Sequence, residues 1–345
     1  MPVRNRHWWA AAIVVAAAVV AFEISRRPVA PEAPQLVVYC AHDQEFAEVI
    51  LNEFTRQTKI KLSVRYDTEA TKSLGLVNLL LQEKEHPQCD VFWNNELLGT
   101  CELKEQGLLV PYRGPGFDRI PEQFKDPEGH WAGFAARLRV YIVNTSKFPA
   151  DSEKIEERLA EGPDLTHVAI ARPLFGTTLT QYTLWWQEWG AEKLKAWHAD
   201  TRRRGIRVVA GNAAVKTQVA DGNCDFGFTD TDDFFVAQDA EKPVKMVPVR
   251  VAGKTICIPN SVAIIGGTSH LDEARQLVDY LLSAETELTL SRLASRQVPL
   301  GPVAAEQVRA DVQPLVEWAA EGADLRPLLP ARRAVVEWLK AEPLQ

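Results

Sequence analysis

Five polar corners in this chain carry side chains able to hold a ligand. The densest is Thr229-Asp230-Thr231-Asp232-Asp233, at the end of an apolar run. Three aspartates in four positions repel one another unless a cation or a helix N-terminus compensates. That loop suits a metal ion or an ammonium group, while a helix cap with an acidic first turn explains Asp230 or Asp232 but not all three. The second corner is His42-Asp43, where Asp43 reads first as the N-cap of a following helix and His42 equally as a loop histidine or a ligand. At Tyr66-Asp67-Thr68-Glu69, Thr68 can cap and Glu69 can face the helix dipole, or both can offer oxygen to a ligand. Trp93-Asn94-Asn95-Glu96 places an aromatic, two amides and an acid at a strand end, where Asn95 reads as a cap or as a ligand wall. In Arg172-Pro173-Leu174-Phe175-Gly176-Thr177-Thr178, the amides and hydroxyls of Gly176, Thr177 and Thr178 can cradle an anion or simply start a helix.

These corners need elements to position them, and strand and helix patterns alternate from Leu36 onward. Leu36–Tyr39 is an apolar strand, followed by Phe46, Val49, Ile50 and Phe54 at helical spacing. Helices are predicted over Thr71–Glu85, Leu97–Gln106, Tyr182–Trp189, Glu192–Arg203, Ala213–Ala220, Leu271–Leu282, Thr286–Leu293 and Ala331–Lys340. Strands are predicted over Ile60–Tyr66, Asp90–Trp93, Phe134–Asn144, His167–Ala171, Arg207–Val209, Asp225–Phe228 and Thr255–Ile265. The fold class is therefore α/β. Gly114, Pro115, Gly116 and Pro121 read as a surface loop. The run Phe134–Asn144 is long enough to pass between two lobes, with Thr255–Ile265 returning the chain. Arg137 and Arg139 fall on one side of that first strand. One of them reaches a cleft and the other reads as a surface ion pair.

At 345 residues the chain suits two lobes. The body after Gln35 holds 35 basic and 44 acidic residues, which argues against a nucleic-acid partner. The N-terminus has Arg4, Arg6 and His7, then fifteen apolar residues from Trp8 to Phe22. That is the layout of a secretory signal or an uncleaved anchor over residues 1–25, followed by a Pro-rich linker over 26–35. As a helix, fifteen residues reach only about 22 Å of a roughly 30 Å hydrocarbon core. Five scattered cysteines show no metal or redox spacing, so they are either buried thiols or leave at least one free. The clustered Trp185, Trp186, Trp189 and Trp197 read as core packing, with Trp93 the candidate for a cation–π wall.

LVVYCAHD, EFTRQTKIKL, CDVFWNNE, LKEQGLLVPY, RLRVYIVNT and VADGNCDFGFTDTDD, in this order, resemble the extracellular solute-binding proteins of ABC transporters, specifically the ferric-iron-binding type. The resemblance runs from about Leu36 to Leu300. It implies two α/β lobes joined by crossing strands, with ligand in the cleft and hinge closure on binding. Lobe 1 would comprise 36–139 and 257–345, and lobe 2 would comprise 140–256. The resemblance implies His42 and Glu69 as metal ligands, and an anion such as carbonate or phosphate held near Gly176–Thr178. The paired tyrosines of the ferric type fall on Asp232 and Asp233 here. Carboxylates remain hard donors but discriminate less among cations than phenolates do.

These readings describe a periplasmic or membrane-anchored monomer that captures a ligand and serves an inner-membrane ABC permease. Ferric iron or another hard cation is the favoured cargo, and no cofactor is required. A polyamine or thiamine is the alternative ligand. A metal-dependent hydrolase or a membrane-tethered sensor are alternative classes, although no GxSxG, HExxH or P-loop spacing occurs.

Overall fold

The structure is a computed structural model that describes residues 35–67 and 74–342. Thr68, Glu69 and the leader lie outside the described residues.

Twelve strands are described: β1 (Gln35–Cys40), β2 (Lys61–Tyr66), β3 (Val91–Asn94), β4 (Leu109–Val110), β5 (Ala132–Asn144), β6 (Val168–Ala171), β7 (Arg207–Val209), β8 (Phe226–Asp230), β9 (Val244–Pro248), β10 (Arg250–Val251), β11 (Lys254–Thr255) and β12 (Cys257–Ile265). β10 and β11 form a small ribbon, and the other ten share one sheet in the order β2-β1-β3-β12-β5-β8-β6-β7. β4 pairs with β12 and β9 with β5. The outer pairs β1–β2, β1–β3, β6–β7 and β6–β8 are parallel, as helical crossovers require. β5 is antiparallel to its neighbours, pairing through Leu138 with β12 and from Arg139 onward with β8 and β9. One thirteen-residue strand, buried throughout, thus carries the chain from the first half of the sheet into the second. The register of β12 on β5 slips between Pro259 and Asn260. Opposite the slip, Ala135 takes a positive φ of 40° and accepts a hydrogen bond from the Asn260 side chain.

The first strand–helix unit shows how local sequence sets these elements. In β1, Leu36, Val38 and Cys40 point into the core with none of their surface exposed. The following helix, Gln44–Thr58, buries Ala47, Ile50, Leu51 and Phe54 and ends at Lys59, whose left-handed φ of 65° brings its N–H to Thr55 O. Val49, expected on the buried face, is 43% exposed. Ala47 and Leu51 take the stripe instead, each one position after an expected face residue, Phe46 and Ile50.

Several boundaries and elements differ from the sequence expectation. The helix expected at Tyr182 starts at Gly176. Thr177, Thr178, Thr180 and Thr183 have weak helix propensity, yet burial of the whole first half of the helix overrides it. Ser152–Glu161 and Gln313–Ala320 are further helices that the sequence reading did not give, each burying two residues four apart, Ile155 and Leu159, and Leu315 and Ala319. The acidic corner opens a further helix, Thr231–Asp239. The Gly114–Pro121 stretch is no simple surface loop. It holds a helical turn, Pro115–Asp118, with Gly116 and Phe117 buried. Gly116 sits so close to Leu282 that an added Cβ would lie 2.8 Å from it. All five cysteines are buried and unpaired. Trp185 packs against Trp189 at 4.8 Å and Trp197 at 4.8 Å, so this cluster is core. Among the described residues no helix is long and apolar enough to cross a membrane.

Candidate functional site

β8 ends in Asp230, and this carboxylate is the hub of the site. Its Oδ1 accepts from Arg139 Nη1 at 2.8 Å. Its Oδ2 accepts from Thr177 Oγ1 at 2.7 Å, Asn212 Nδ2 at 2.9 Å and Arg137 Nε at 3.3 Å. These donors come from β5, from the start of the Gly176–Trp189 helix and from the start of the Asn212–Ala220 helix. Asp230 is 3% exposed and Arg139 fully buried, so the charges must be paired. Burial alone would raise the Asp230 carboxyl. The charges of Arg139 and Arg137 and the Thr177 hydroxyl outweigh it and hold the group below the usual carboxylate range. Arg139, expected as a surface ion pair if Arg137 faced the cleft, is therefore a core residue, fixed further by Gln181 Oε1 at 2.8 Å. Arg137 also donates Nη2 to Asn95 O at 2.6 Å, which ties β5 to the corner after β3.

Beside this hub lies a cavity of about 300 Å³. Its walls include His42, Asp43 and Asn95 from the first half of the sheet, and Arg137, Gly176, Thr177, Thr178, Asp230, Asp232 and Asp233. Four helices point their N-termini at it: the N-cap residues Asp43, Phe175, Gly211 and Asp230 all line the cavity, and none caps with its side chain. Asp43 holds its helix by its backbone carbonyl, which accepts from Phe46 and Ala47 N–H. The expected N-cap position is correct, but its side chain is not spent on capping.

Asp233 lies two residues into the helix that follows Asp230, and its environment is the reverse. Burial first, then the negative charges of Asp232 and Asp230, push its pKa up to about 8. Its Oδ2 accepts from Thr229 Oγ1 at 2.9 Å. The Asp232 carboxylate lies 4.0 Å from Arg137 Nε and is 18% exposed. Thr231 turns away and donates no ligand contact: its Oγ1 accepts from Leu138 N–H. Thr229 and Thr231 are buried behind the cavity wall.

The corner after β3 is used differently. Trp93 is fully buried, 5.3 Å from the His42 ring and 5.4 Å from Phe134, and donates Nε1 to Asn260 Oδ1. Asn94 donates to Glu96 and Thr100. Glu96 accepts from Leu98 N–H at 2.6 Å and Gly99 N–H at 2.7 Å, so it caps the Leu98–Glu105 helix. Trp93, Asn94 and Glu96 are not among the cavity-lining residues, whereas Asn95 is.

His42 is 4% exposed and lines the cavity. Asn260 Nδ2 donates to Gln297 Oε1 at 2.7 Å, which fixes the Gln297 amide. Gln297 Nε2 then faces His42 Nε2 at 3.3 Å. Among the described residues, His42, Asp232 and Asp233 do not bring three donor atoms together. The one such group is Asp126, Glu128 and His130, elsewhere in the chain, and Lys104 already pairs with it, 2.6 Å from Asp126 and 3.4 Å from Glu128. The sequence reading missed Asn212, Lys216 and Gln297. Asn212 follows Gly211 directly before a helical run, a signal that could have marked it.

The model for the family described as bacterial extracellular solute-binding protein matches residues 50–319. The chain belongs to this family. The solute-binding protein is 24% identical over 288 residues to the major ferric iron-binding protein of Neisseria meningitidis, covering 79% of this chain and 82% of that one. Its fold matches iron-bound HitA from Pseudomonas aeruginosa, with a TM-score of 0.73, 18% identity, and coverage of 88% of this chain and 99% of that chain. It also matches the periplasmic binding protein AfuA from Actinobacillus pleuropneumoniae with fructose-6-phosphate bound, at TM-score 0.70 and 20% identity, covering 90% and 99%. Two α/β lobes joined by crossing strands are thus the fold of this solute-binding protein. It is not an enzyme, which removes the hydrolase alternative.

Proposed function

We propose that this protein is the substrate-binding component of an ABC import system, working as a monomer in the periplasm and handing its solute to an inner-membrane permease. The observation that carries this reading is the cavity beside Asp230, whose walls come from both halves of the sheet. A solute touching both halves favours the closed arrangement, and closure needs only that differential affinity. The lobes divide at residues 139 and 256. What supports the division is the change of β5 partner after Leu138 and the start of β12 at Cys257.

Ferric iron or another hard cation is the first cargo to test. The name of the Neisseria relative supports it, and His42, Asp232 and Asp233 line the cavity as the donors to test, with Glu69 as the fourth that the resemblance implies. Native mass spectrometry with elemental analysis of the purified protein should find one metal per chain, and Asp232→Ala with Asp233→Ala should abolish it. Metal retained by the double variant removes these donors. Periplasmic residence predicts release by osmotic shock, whereas retention in the membrane fraction identifies residues 1–25 as an anchor.

A further inference from the structure

We infer that the last helix, Leu329–Ala341, is a strut that spaces the two halves of the molecule from outside the cleft, with Arg332, Arg333 and Trp338 as its positioning residues. The inference rests on the two-lobed fold. It adds to the receptor reading a part that does not line the cargo cavity and lies beyond residues 50–319, which the family model matches.

The two ends of this helix grip different halves. In its lead-in, Arg326 donates Nη1 to Glu122 O at 2.9 Å. Arg332 then donates Nη1 to Glu102 Oε2, and Arg333 pairs with Glu105 at 2.8 Å. Glu102 and Glu105 belong to the Leu98–Glu105 helix, which runs between β3 and β4 in the first half of the sheet. Arg332 is only 6% exposed, so its charge needs this partner, whereas the Arg333 pair is half-exposed. At the other end, the Trp338 ring lies 5.8 Å from Trp186 and 5.3 Å from His198. Those rings stand on the helices Gly176–Trp189 and Ala191–Arg203, which connect β6 to β7 in the second half.

The gripped helices also reach the cleft. Asn95, just before the Leu98–Glu105 helix, and Gly176, at the start of the other, both line the cavity. At about 1.5 Å per residue, Glu102 and Glu105 lie about 6 and 11 Å along the first helix, and Trp186 about 15 Å along the second. A body fixed to both helices at this depth sets the spacing of their cleft ends. The two grips differ in kind. Charged hydrogen bonds define one geometry on the first half, while ring contacts on the second tolerate sliding. Close packing leaves few large voids, yet a space of about 370 Å³ opens between Leu184 and Gln187 on the second-half helix and Pro327 and Leu328 in the lead-in. The second half therefore has room to swing against the strut.

Double electron–electron resonance on the full-length protein, with no ligand added, reads this spacing. All five native cysteines are buried, so spin labels at Glu48→Cys and Thr217→Cys, exposed positions on helices of opposite halves, attach selectively. The parent should give one narrow distance distribution. Arg332→Glu sets two acids face to face and should add a population displaced by at least about 4 Å, and adding Glu102→Arg should restore the parent distribution. Arg333→Glu, at the half-exposed pair, should act in the same direction, more weakly and less in high salt. Trp338→Ala frees the other end and should widen the distribution. Parent-like distances in folded Arg332→Glu overturn the inference, as does widening that the charge swap leaves uncorrected. Where thermal unfolding shows that Arg332→Glu does not fold, Arg333→Glu and Trp338→Ala decide in its place, and parent-like distances in both overturn it. Elemental analysis tests the cargo separately, so failure here leaves the receptor reading standing, and failure there leaves the strut.

Discussion

Two corners of this protein look alike in sequence and differ in use. Trp93–Glu96 and Thr229–Asp233 each follow a short buried strand, each combines acid with amide or hydroxyl, and each precedes a helix. At the first corner Glu96 turns back on its own helix and accepts from two backbone amides. At the second, Asp230 turns away from its helix to meet two arginines, and Asp233 meets a threonine hydroxyl and its acidic neighbours, with Lys216 as the opposing positive charge. A carboxylate that satisfies local amides contributes to folding. A carboxylate held by residues from other elements, or left in an acidic pocket, is available to define a site.

This contrast can be broken by substitution. The largest effect belongs to Asp230→Ala. It strands Arg139 and Arg137 without their buried counter-charge, and denaturant unfolding should show a loss of about 3–5 kcal/mol. A loss below about 1 kcal/mol would mean that the hub carries no structural charge balance.

Asp233→Asn is expected to act in the opposite direction. Asp233 has a raised pKa in the folded chain, so its contribution is fully present below the unfolded carboxylate range near pH 4 and is lost as pH rises through about 8. The amide removes that loss. The variant should therefore be more stable than the parent by roughly 2–4 kcal/mol at pH 8.5 and nearly equal to it at pH 4. Thermal unfolding across that range measures the difference, and a constant offset at all pH values would contradict the raised pKa. Smallest is Glu96→Ala, which removes a cap and should cost about 1–2 kcal/mol while leaving solute affinity unchanged. Lost affinity there would place the first corner in the site after all.

Much of the fold was legible in the sequence because strand and helix periods were clean where burial was one-sided. The Leu271–Leu281 helix, which buries Ala274, Leu277, Val278 and Leu281, is an instance, whereas the long run into Asn144, buried on both faces, was legible by its length. The start of the Gly176–Trp189 helix was hidden by its threonines, whose burial is decided by the hub and not by local propensity. At the site, the residue types were legible but not their division of labour. Nothing in TrpAsnAsnGlu says that Glu96 reaches its own helix or that Trp93 is sealed beneath His42. Those outcomes depend on contacts with Ser261, Asn260 and Gln297, which lie far along the chain.

The slip of β12 against β5 has a mechanical consequence. A ladder out of step at one point bends and twists more there than along its regular length. Asn260 sits at that point and donates to Gln297, whose Nε2 lies against the imidazole of His42. Two side-chain contacts therefore connect the irregular step of the long strand to a cavity wall, so the bend of the ladder and the placement of that ring are set together.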